Sequence, residues 1–424
     1  MPALAHRVAS TMTEVAITAR QPASTVSRPY GGARDEIAAI TGLRGLAALM
    51  VAIYHINPEL IAHTGVGLGV VIGKGYLWVD LFFVLSGFVL ALNYGHVFRH
   101  GWSLAGWRDF LVRRLARVYP LYCVLVLAGF AGWLAATHAS TLADLLPRPP
   151  LHRPVLDATV NLLMIQSWGI GPSIDGTAWS LSAEWAAYLL FPLLVAATLF
   201  SSPRIAASVG LVALAGAAGT AILTSGDGAY HSGPLDAYDG ATIEPVLRCL
   251  AGFLLGLLMF RLAQARRVRE LAARDDLVGA VLALLAIGFV SGAHDLLIYP
   301  LFAVLVLGLY ANRGRCGQAV GCRFFYWLGS VSYSLYLLHP FLILPRRGMD
   351  AALQAWMPAS WSYVITSLAI YVALFAASDL SYRLIEQPGR RWLTRCAGPR
   401  REGARLSPGR AAAPGPRQRG RWRA

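Results

Sequence analysis

Residues 40–55 read ITGLRGLAALMVAIYH, and this stretch decides the class of the protein. With its flanks it gives an apolar run over 37–57, long enough to cross about 30 Å of hydrocarbon as an α-helix. Arg44 and His55 lie inside this run. Ionisable side chains are costly at membrane depth, so both are candidates for function. Because 11 residues are close to three helical turns, the two side chains project from the same face.

The composition extends this pattern to the whole chain. Of the 424 residues, 56% are hydrophobic and 14% are charged, against roughly 25% charged in soluble domains, and the mean hydropathy is +0.53. These values exclude a disordered chain, a coiled coil and a small disulfide-rich secreted protein. A soluble enzyme is disfavoured, because the charge is concentrated at the ends and between long apolar runs. We therefore predict an all-α, polytopic integral membrane helical bundle.

Ten apolar stretches are each near the length of a membrane span. They lie at about 37–57, 76–93, 118–136, 177–200, 205–223, 243–261, 277–292, 296–311, 325–342 and 360–385. Residues 157–168 are too short to span, and they suit an interfacial or re-entrant segment. With a cytoplasmic N-terminus, 29 of the 37 Lys and Arg fall inside, five outside and three within helices. This asymmetry favours about ten transmembrane helices with both termini cytoplasmic.

The chain divides into three expected segments. We predict a disordered cytoplasmic leader over 1–36, a membrane domain over 37–392 and a basic disordered cytoplasmic tail over 393–424. From Gly389 onward the chain has 11 Arg and one acidic residue, Glu402. Behind a membrane domain, such a tail indicates attraction to anionic lipid, so we predict the lipid bilayer and no nucleic acid as a partner. The five scattered cysteines indicate neither a disulfide framework nor a metal site.

The ionisable residues of the spans fall into two tiers of depth. The outer tier contains His55, Asp80, Glu184, His339 and Arg248, and the inner tier contains Arg44, Arg113, Arg114 and Arg117. A histidine beside carboxylates suits general base catalysis, so we expect Asp80 or Glu184 to orient His55. We also expect Glu244 and Arg248 to form an i,i+4 pair. A cluster of arginines suits phosphate, which guanidinium groups bind in bidentate geometry.

Each of these residues also has a purely structural interpretation. Arg44 could extend toward the inner interface, and the two histidines could simply hydrogen-bond within the bundle. The three inner arginines could serve only as topology charges. Four serines in the apolar runs could simply form hydrogen bonds between helices, namely Ser86, Ser180, Ser182 and Ser332.

Six motifs, in order along the chain, resemble one family. They are ITGLRGLAALMVAIYH (40–55), GYLWVDLFFVLSGFVL (75–90), FLVRRLARVYPLY (110–122), WSLSAEWAAYLLFPLL (179–194), LGSVSYSLYLLHPF (328–341) and RLIEQPGRRW (383–392). Together they resemble the acyltransferase-3 family of integral membrane O-acyltransferases. The resemblance covers about 37–392. It implies ten helices and transfer of an acyl group, often acetyl, from cytoplasmic acyl-CoA to a hydroxyl of a glycan or a glycosylated small molecule.

The resemblance also implies residue roles. The Arg–x10–His signature falls on Arg44 and His55, the basic motif on Arg114 and Arg117, and the Ser/Glu motif on Trp179, Ser180 and Glu184. We assign catalysis to His55, Arg44, Glu184 and Asp80. Acyl-CoA binding is assigned to Arg113, Arg114, Arg117, Ser332 and Tyr333. Acceptor binding is assigned to Trp179, Ser180, Arg248 and His339. We expect no bound metal or cofactor. The expected co-substrate is acyl-CoA, specifically acetyl-CoA.

The two tiers suggest a mechanism that agrees with the resemblance. The phosphates of CoA would dock at the inner arginines, and the pantetheine arm would bring the thioester near His55. His55 would deprotonate an acceptor hydroxyl that arrives from the outer side, and an acyl-histidine intermediate remains open. Some relatives carry an additional hydrolase-like domain after the last helix, and here only the basic tail follows. The rival class is a transporter or flippase, but the two halves show no repeat.

Overall fold

The computed structural model describes residues 38–59, 65–138, 151–226, 232–238 and 242–396. Within these ranges all regular structure is helical and there is no strand, which confirms the all-α prediction. The predicted leader and the chain beyond Cys396 lie outside the described residues. The final helix ends at Cys396, so helical structure continues four residues past the predicted boundary at 392.

The described residues form the following α-helices, in chain order. They are α1 (Ala38–Ile56), α2 (Gly65–Gly73), α3 (Trp78–Tyr94), α4 (Leu104–His138), α5 (Pro154–Leu162), α6 (Trp179–Leu199), α7 (Pro203–Gly226), α8 (Glu244–Ala263), α9 (Arg266–Ala272), α10 (Asp275–Val290), α11 (Asp295–Ala311), α12 (Arg315–Val320), α13 (Arg323–Ser330), α14 (Ser332–Leu338), α15 (Ile343–Gln354), α16 (Ala359–Ser381) and α17 (Gln387–Cys396). Short 3-10 turns cover Gly75–Leu77, Gly95–Phe98 and His339–Leu342, and a π-helical turn, Tyr382–Glu386, joins α16 to α17.

All ten predicted spans are helical, but they do not all have the length of a span. Among the described residues, seven helical stretches are long and apolar enough to cross a membrane, and α13 with α14–α15 makes an eighth if that bent pair is one span. The predicted seventh and eighth spans are α10 and α11, which have only 16 and 17 residues. A tight turn with Gly292 at φ +66° joins them, and both helices lie close to the predicted bounds of 277–292 and 296–311.

The outside of the bundle is apolar. Large aliphatic side chains such as Leu211, Ile222 and Val372 are 69%, 73% and 68% exposed. Such side chains are suited to contact with lipid, where their exposure costs nothing. Helix length, hydropathy and this surface together make the chain a multi-pass membrane protein.

Glycines allow two helix pairs to touch backbone to backbone. A Cβ atom on Gly256 of α8 would lie 2.1 Å from the Val84 carbonyl oxygen of α3. A Cβ atom on Gly329 of α13 would lie 1.9 Å from the Thr41 carbonyl oxygen of α1. Small residues at helix contacts are the usual means of close packing in a membrane. These contacts hold α3 against α8 and α1 against α13, and they fix the positions of Arg44, Asp80 and Arg248 on α1, α3 and α8.

The span predicted over 325–342 is helical, but the helix is broken at Val331. Here α13 and the following helix meet at a 60° bend. The Gly329 carbonyl at the break accepts hydrogen bonds from Arg44 Nη2 at 2.8 Å and from the Ser332 hydroxyl at 2.9 Å. Carbonyls at the end of a helix need such partners, especially where water is scarce. The guanidinium group of Arg44 therefore stabilises the break.

Candidate active site

His55 and His339 contact each other at the C-terminal end of α1. His55 Nδ1 lies 3.0 Å from the Val51 carbonyl oxygen and 3.2 Å from His339 Nε2. Because a carbonyl can only accept, the Val51 contact assigns the proton to Nδ1. The lone pair of His55 is then on Nε2, which hydrogen-bonds to none of the described residues. His55 is half-buried and its Nε2 is the atom that could serve as base or nucleophile.

The loop 232–238 lies beside this pair. The His55 ring centroid is 4.7 Å from that of Tyr54, whose hydroxyl is 2.5 Å from Ser232 Oγ. The Ser232 amide in turn donates to the Asp236 carboxylate at 2.9 Å. Asp236 is buried and lies within electrostatic range of His55. No periodicity or residue spacing indicates a role for Asp236, since it lies in a loop.

Asp80 does not orient His55, which corrects the expected contact. Its two carboxylate oxygens accept from Arg248 Nε at 2.8 Å and Nη2 at 2.7 Å, and both side chains are completely buried. Arg248 also donates to the carbonyls of Ala237 and Tyr76, at 3.1 and 2.9 Å. Arg248 therefore pairs with Asp80 and not with Glu244 as predicted. With its guanidinium group occupied in this way, it is poorly placed for the acceptor role assigned to it.

Glu184 also has partners other than His55. Its carboxylate accepts a hydrogen bond from Ser86 on α3. It lies within electrostatic reach of Arg114 and Tyr188, and Arg114 Nη2 donates to the Tyr188 hydroxyl at 2.8 Å. Glu184 thus belongs to a polar group that links α3, α4 and α6. The expected contact between Glu184 and His55 does not occur.

Arg44 lies next to Ser332, which the sequence also assigned to the site. Its Nε is 3.1 Å from Ser332 Oγ, so two predicted site residues are in contact. Arg44 and His55 both face the chain of α14 and its continuation, through Ser332 and His339 respectively. The same-face prediction for the pair is therefore consistent with the structure.

Two of the three basic-loop arginines belong to one cluster. Arg117 pairs with the buried Glu386 at 2.7 Å, Glu386 accepts from the Ser334 hydroxyl, and Arg117 lies 5.6 Å from the centroid of the Tyr333 ring. Arg114 and Arg117 are both within electrostatic range of Arg390 on α17. Sequence reasoning missed Glu386 and Arg390, although both lie in the quoted 383–392 motif.

Arg113 is separate from this cluster. It forms an i,i+4 ion pair with Asp109 at 2.9 Å on a partly exposed part of α4. The structure therefore unites Arg114, Arg117 and Arg390, and leaves Arg113 out of the predicted group of three.

One face of α14 connects the arginines with the histidines. Tyr333 and Tyr336 of α14 and His339, the first residue of the following 3-10 turn, are spaced i, i+3 and i+6, so they follow one another along one side over about 9 Å of axis. Tyr333 contacts Arg117, and His339 contacts His55. Between them, the Tyr336 hydroxyl is 2.8 Å from Ser180 Oγ. We call these three residues the α14 face, and their spacing in SYSLYLLH is the sequence signal that could have revealed Tyr336.

Trp179 lies beside this site through a cation–π contact. The guanidinium carbon of Arg248 is 5.3 Å from the centroid of its ring. Two of the other predicted acceptor-binding residues, Ser180 and His339, both contact Tyr336. Its hydroxyl hydrogen-bonds with Ser180, and its ring centroid is 5.9 Å from that of His339. Trp179 contacts the buried ion pair instead. In the described part of the chain, no three His, Cys, Asp or Glu side chains are grouped to hold a metal ion.

Comparison with known proteins decides the family. The acyltransferase domain of the acyltransferase-3 family matches residues 37–383, which is most of the chain and includes the first five of the six motifs. The chain belongs to the acyltransferase-3 family. This agrees with the resemblance read from the six motifs.

Several curated relatives in this family cover nearly the same part of the chain. The acyltransferase MdmB of Streptomyces mycarofaciens is 30% identical over 84% of this chain and 92% of its own length. The peptidoglycan O-acetyltransferase OatA of Listeria monocytogenes is 22% identical over 84% of this chain and 56% of its own length. The O-acetyltransferase OatA of Staphylococcus aureus is 25% identical over 83% and 57%. The chain therefore spans about half the length of both OatA proteins. No solved structure matches it significantly.

Proposed function

We propose that this acyltransferase-3 protein moves an acyl group, normally acetyl, from cytoplasmic acyl-CoA to a hydroxyl of an exported or cell-surface glycan or a glycosylated small molecule. Its place would be the bacterial inner membrane, with both termini cytoplasmic. The observation that carries the proposal is the polar connection along the α14 face. It joins an arginine cluster suited to phosphate with a histidine whose Nε2 is available. The O-acetyltransferase names of several relatives support the same reaction class.

The chemistry follows from the fixed tautomer of His55. Nε2 of His55 takes the proton of the acceptor hydroxyl, and the oxygen of that hydroxyl attacks the carbonyl carbon of the thioester. The bond from carbonyl carbon to sulfur then breaks, and the CoA thiolate takes the proton from His55 as it leaves. The Asp236 carboxylate stabilises the transient imidazolium. His339 Nε2 shares the Nδ1 proton of His55 with the Val51 carbonyl and so helps to maintain the orientation of the ring. Neither Asp80 nor Glu184 is needed for this step.

The direct experiment supplies labelled acetyl-CoA to the purified full-length protein in lipid vesicles, together with glycan and glycoside acceptors. We expect label to appear on an acceptor oxygen as a base-labile ester, and CoA to be released in equal amount. Movement of the acceptor across the vesicle without any covalent change would instead support the transporter or flippase alternative. The same vesicles with His55→Ala protein serve as the blank.

The arginine cluster gives a prediction about donor affinity. Arg117→Gln should raise KM for acyl-CoA by about ten- to a hundredfold, because a charge-assisted bond to phosphate is worth roughly 1.5–3 kcal/mol. KM for the acceptor should change little. Arg113→Gln is the matched control on the same helix, since Arg113 pairs with Asp109 outside the cluster.

Loss of Arg117 also leaves the buried Glu386 without its cation. The double variant Arg117→Gln/Glu386→Gln removes this complication and should keep the raised KM for acyl-CoA. An equal rise of KM in the Arg113 and Arg117 variants would argue against phosphate binding at this cluster.

A further inference from the structure

Three buried oxygen atoms in the loop 163–178 have no hydrogen-bond partner among the described residues. They are Gln166 Oε1, Ser167 Oγ and Asp175 Oδ2. Their residues are 0%, 0% and 1% exposed. Buried polar atoms without partners are rare and costly, so three in one loop indicate that a ligand or ordered water completes them.

Gln166 is held so that its oxygen can only accept. Its Nε2 donates to the Ala178 carbonyl at 3.2 Å and more weakly to Ser173 Oγ at 3.4 Å. This fixes which end of the amide carries the oxygen, and Oε1 is left as a free acceptor.

Asp175 is held in a similar way. Its Oδ1 accepts from the amide and the hydroxyl of Thr177, at 3.2 and 3.1 Å, which leaves Oδ2 without a donor. Burial raises the pKa of the Asp175 carboxyl to about 7, and a hydrogen bond donated to Oδ2 by a ligand would stabilise the ionised form. The ligand that fits these atoms therefore carries N–H or O–H donors.

These acceptors lie beside the α14 face, between the arginines and the histidines. The Tyr122 hydroxyl interacts with both Gln166 and Asp175, and Tyr333 lies within electrostatic range of Asp175. On the other side, the Thr177 hydroxyl that binds Asp175 also lies 3.3 Å from the Tyr336 carbonyl oxygen. A thin chain extending from Arg117 to His55 would pass this loop.

We propose that Gln166, Ser167 and Asp175 form a binding site for the amide N–H groups of the pantetheine arm of acyl-CoA. This inference rests on the proposed function, and it names residues for the part of the donor between phosphates and thioester. The pantetheine arm is narrow and carries two secondary amides, which must find acceptors once they leave water. The loop offers fixed hydrogen-bond acceptors between the arginine cluster and the histidines. The glycan or glycoside that receives the acyl group would enter from the outer side of the membrane.

The test uses Asp175→Asn in the full-length protein. Because both donors of Thr177 need an acceptor at Oδ1, the new NH2 group must occupy the Oδ2 position and would face the amide N–H groups. We expect kcat/KM for acetyl-CoA to fall about ten- to a hundredfold, the usual effect of one lost buried hydrogen bond. The inhibition constant of free pantetheine should rise by a similar factor. That of an alkanethiol of equal length without amides should not change.

A second variant with a smaller change keeps the test interpretable if Asp175→Asn does not fold. Ser167→Ala removes only the hydroxyl, since the Ser167 backbone amide still donates to Ser182 Oγ, and it should weaken pantetheine inhibition alone. Ser381→Ala is the control, because Ser381 Oγ is another buried oxygen without a partner but lies on α16, away from this loop.

The outcomes separate the inference from the proposed function. Unchanged pantetheine inhibition in both variants, or an equal loss for pantetheine and the alkanethiol, would overturn the inference while wild-type transfer from acetyl-CoA persists. If the wild-type protein transfers no acyl group from acetyl-CoA, the proposed function fails and the inference fails with it.

Discussion

Replacing His55 with alanine should lower the rate of acyl transfer by about a hundredfold to ten-thousandfold, with the amount of membrane-inserted protein unchanged. The size follows from the usual contribution of a general base. The Val51 carbonyl fixes the proton on Nδ1, so Nε2 is the atom that takes the proton of the acceptor. No other described side chain in contact with His55 can replace it, because His339 Nε2 is already directed at His55 Nδ1.

The controls for this prediction are two other histidines. His100→Ala should leave the rate unchanged, because His100 is exposed and remote from the pair. His339→Gln should retain part of the activity, because a glutamine oxygen can still accept from His55 Nδ1. Should His339→Gln prove more damaging than His55→Ala, the assignment of the base to His55 would be wrong.

Removing one partner of the buried ion pair should destabilise the protein strongly. Arg248→Met leaves the Asp80 carboxylate unpaired in the interior of the bundle, and such a change typically costs about 3–5 kcal/mol. Arg248 also holds the carbonyls of Ala237 and Tyr76, so the loop 232–238 beside His55 would lose an anchor. Thermal denaturation in detergent, followed by the fraction of monodisperse protein, measures the effect.

The double variant Asp80→Leu/Arg248→Met distinguishes an ion-pair effect from a packing effect. Replacing both charges with apolar groups is often nearly neutral, so most of the lost thermal stability should return. If the double variant is as unstable as the single one, the cost lies in the shape or backbone contacts of Arg248 and not in the unpaired charge.

Local sequence signals predicted the fold well and failed where helices depend on distant partners. The first span was expected at 37–57 and occurs at Ala38–Ile56, because an apolar run alone defines a helix in lipid. The break at Val331 was not predicted. It depends on Arg44, 285 residues earlier in the chain, which binds the Gly329 carbonyl.

The candidate site was predicted in its residues more than in its contacts. The sequence identified Asp80, Glu184 and Arg248 as ionisable groups near the outer side, but depth along a helix does not show which side chains meet. Asp80 contacts Arg248 because Gly87 and Gly256 allow α3 and α8 to pack closely. Residue spacing within one helix cannot predict which two helices pack together. The same limit explains Glu386 and Asp236, which face the site from a π-helical turn and a loop.

The central claim is that this protein esterifies a glycan or glycoside hydroxyl with an acyl group. Mass spectrometry of surface glycans, lipid-linked sugars and secreted glycosides, from cells with and without the gene, tests it most directly. We predict that deletion removes the mass of one acyl group from one such molecule, and that wild-type protein restores it while His55→Ala does not. Unchanged masses in all three classes, or full restoration by His55→Ala, would contradict the account.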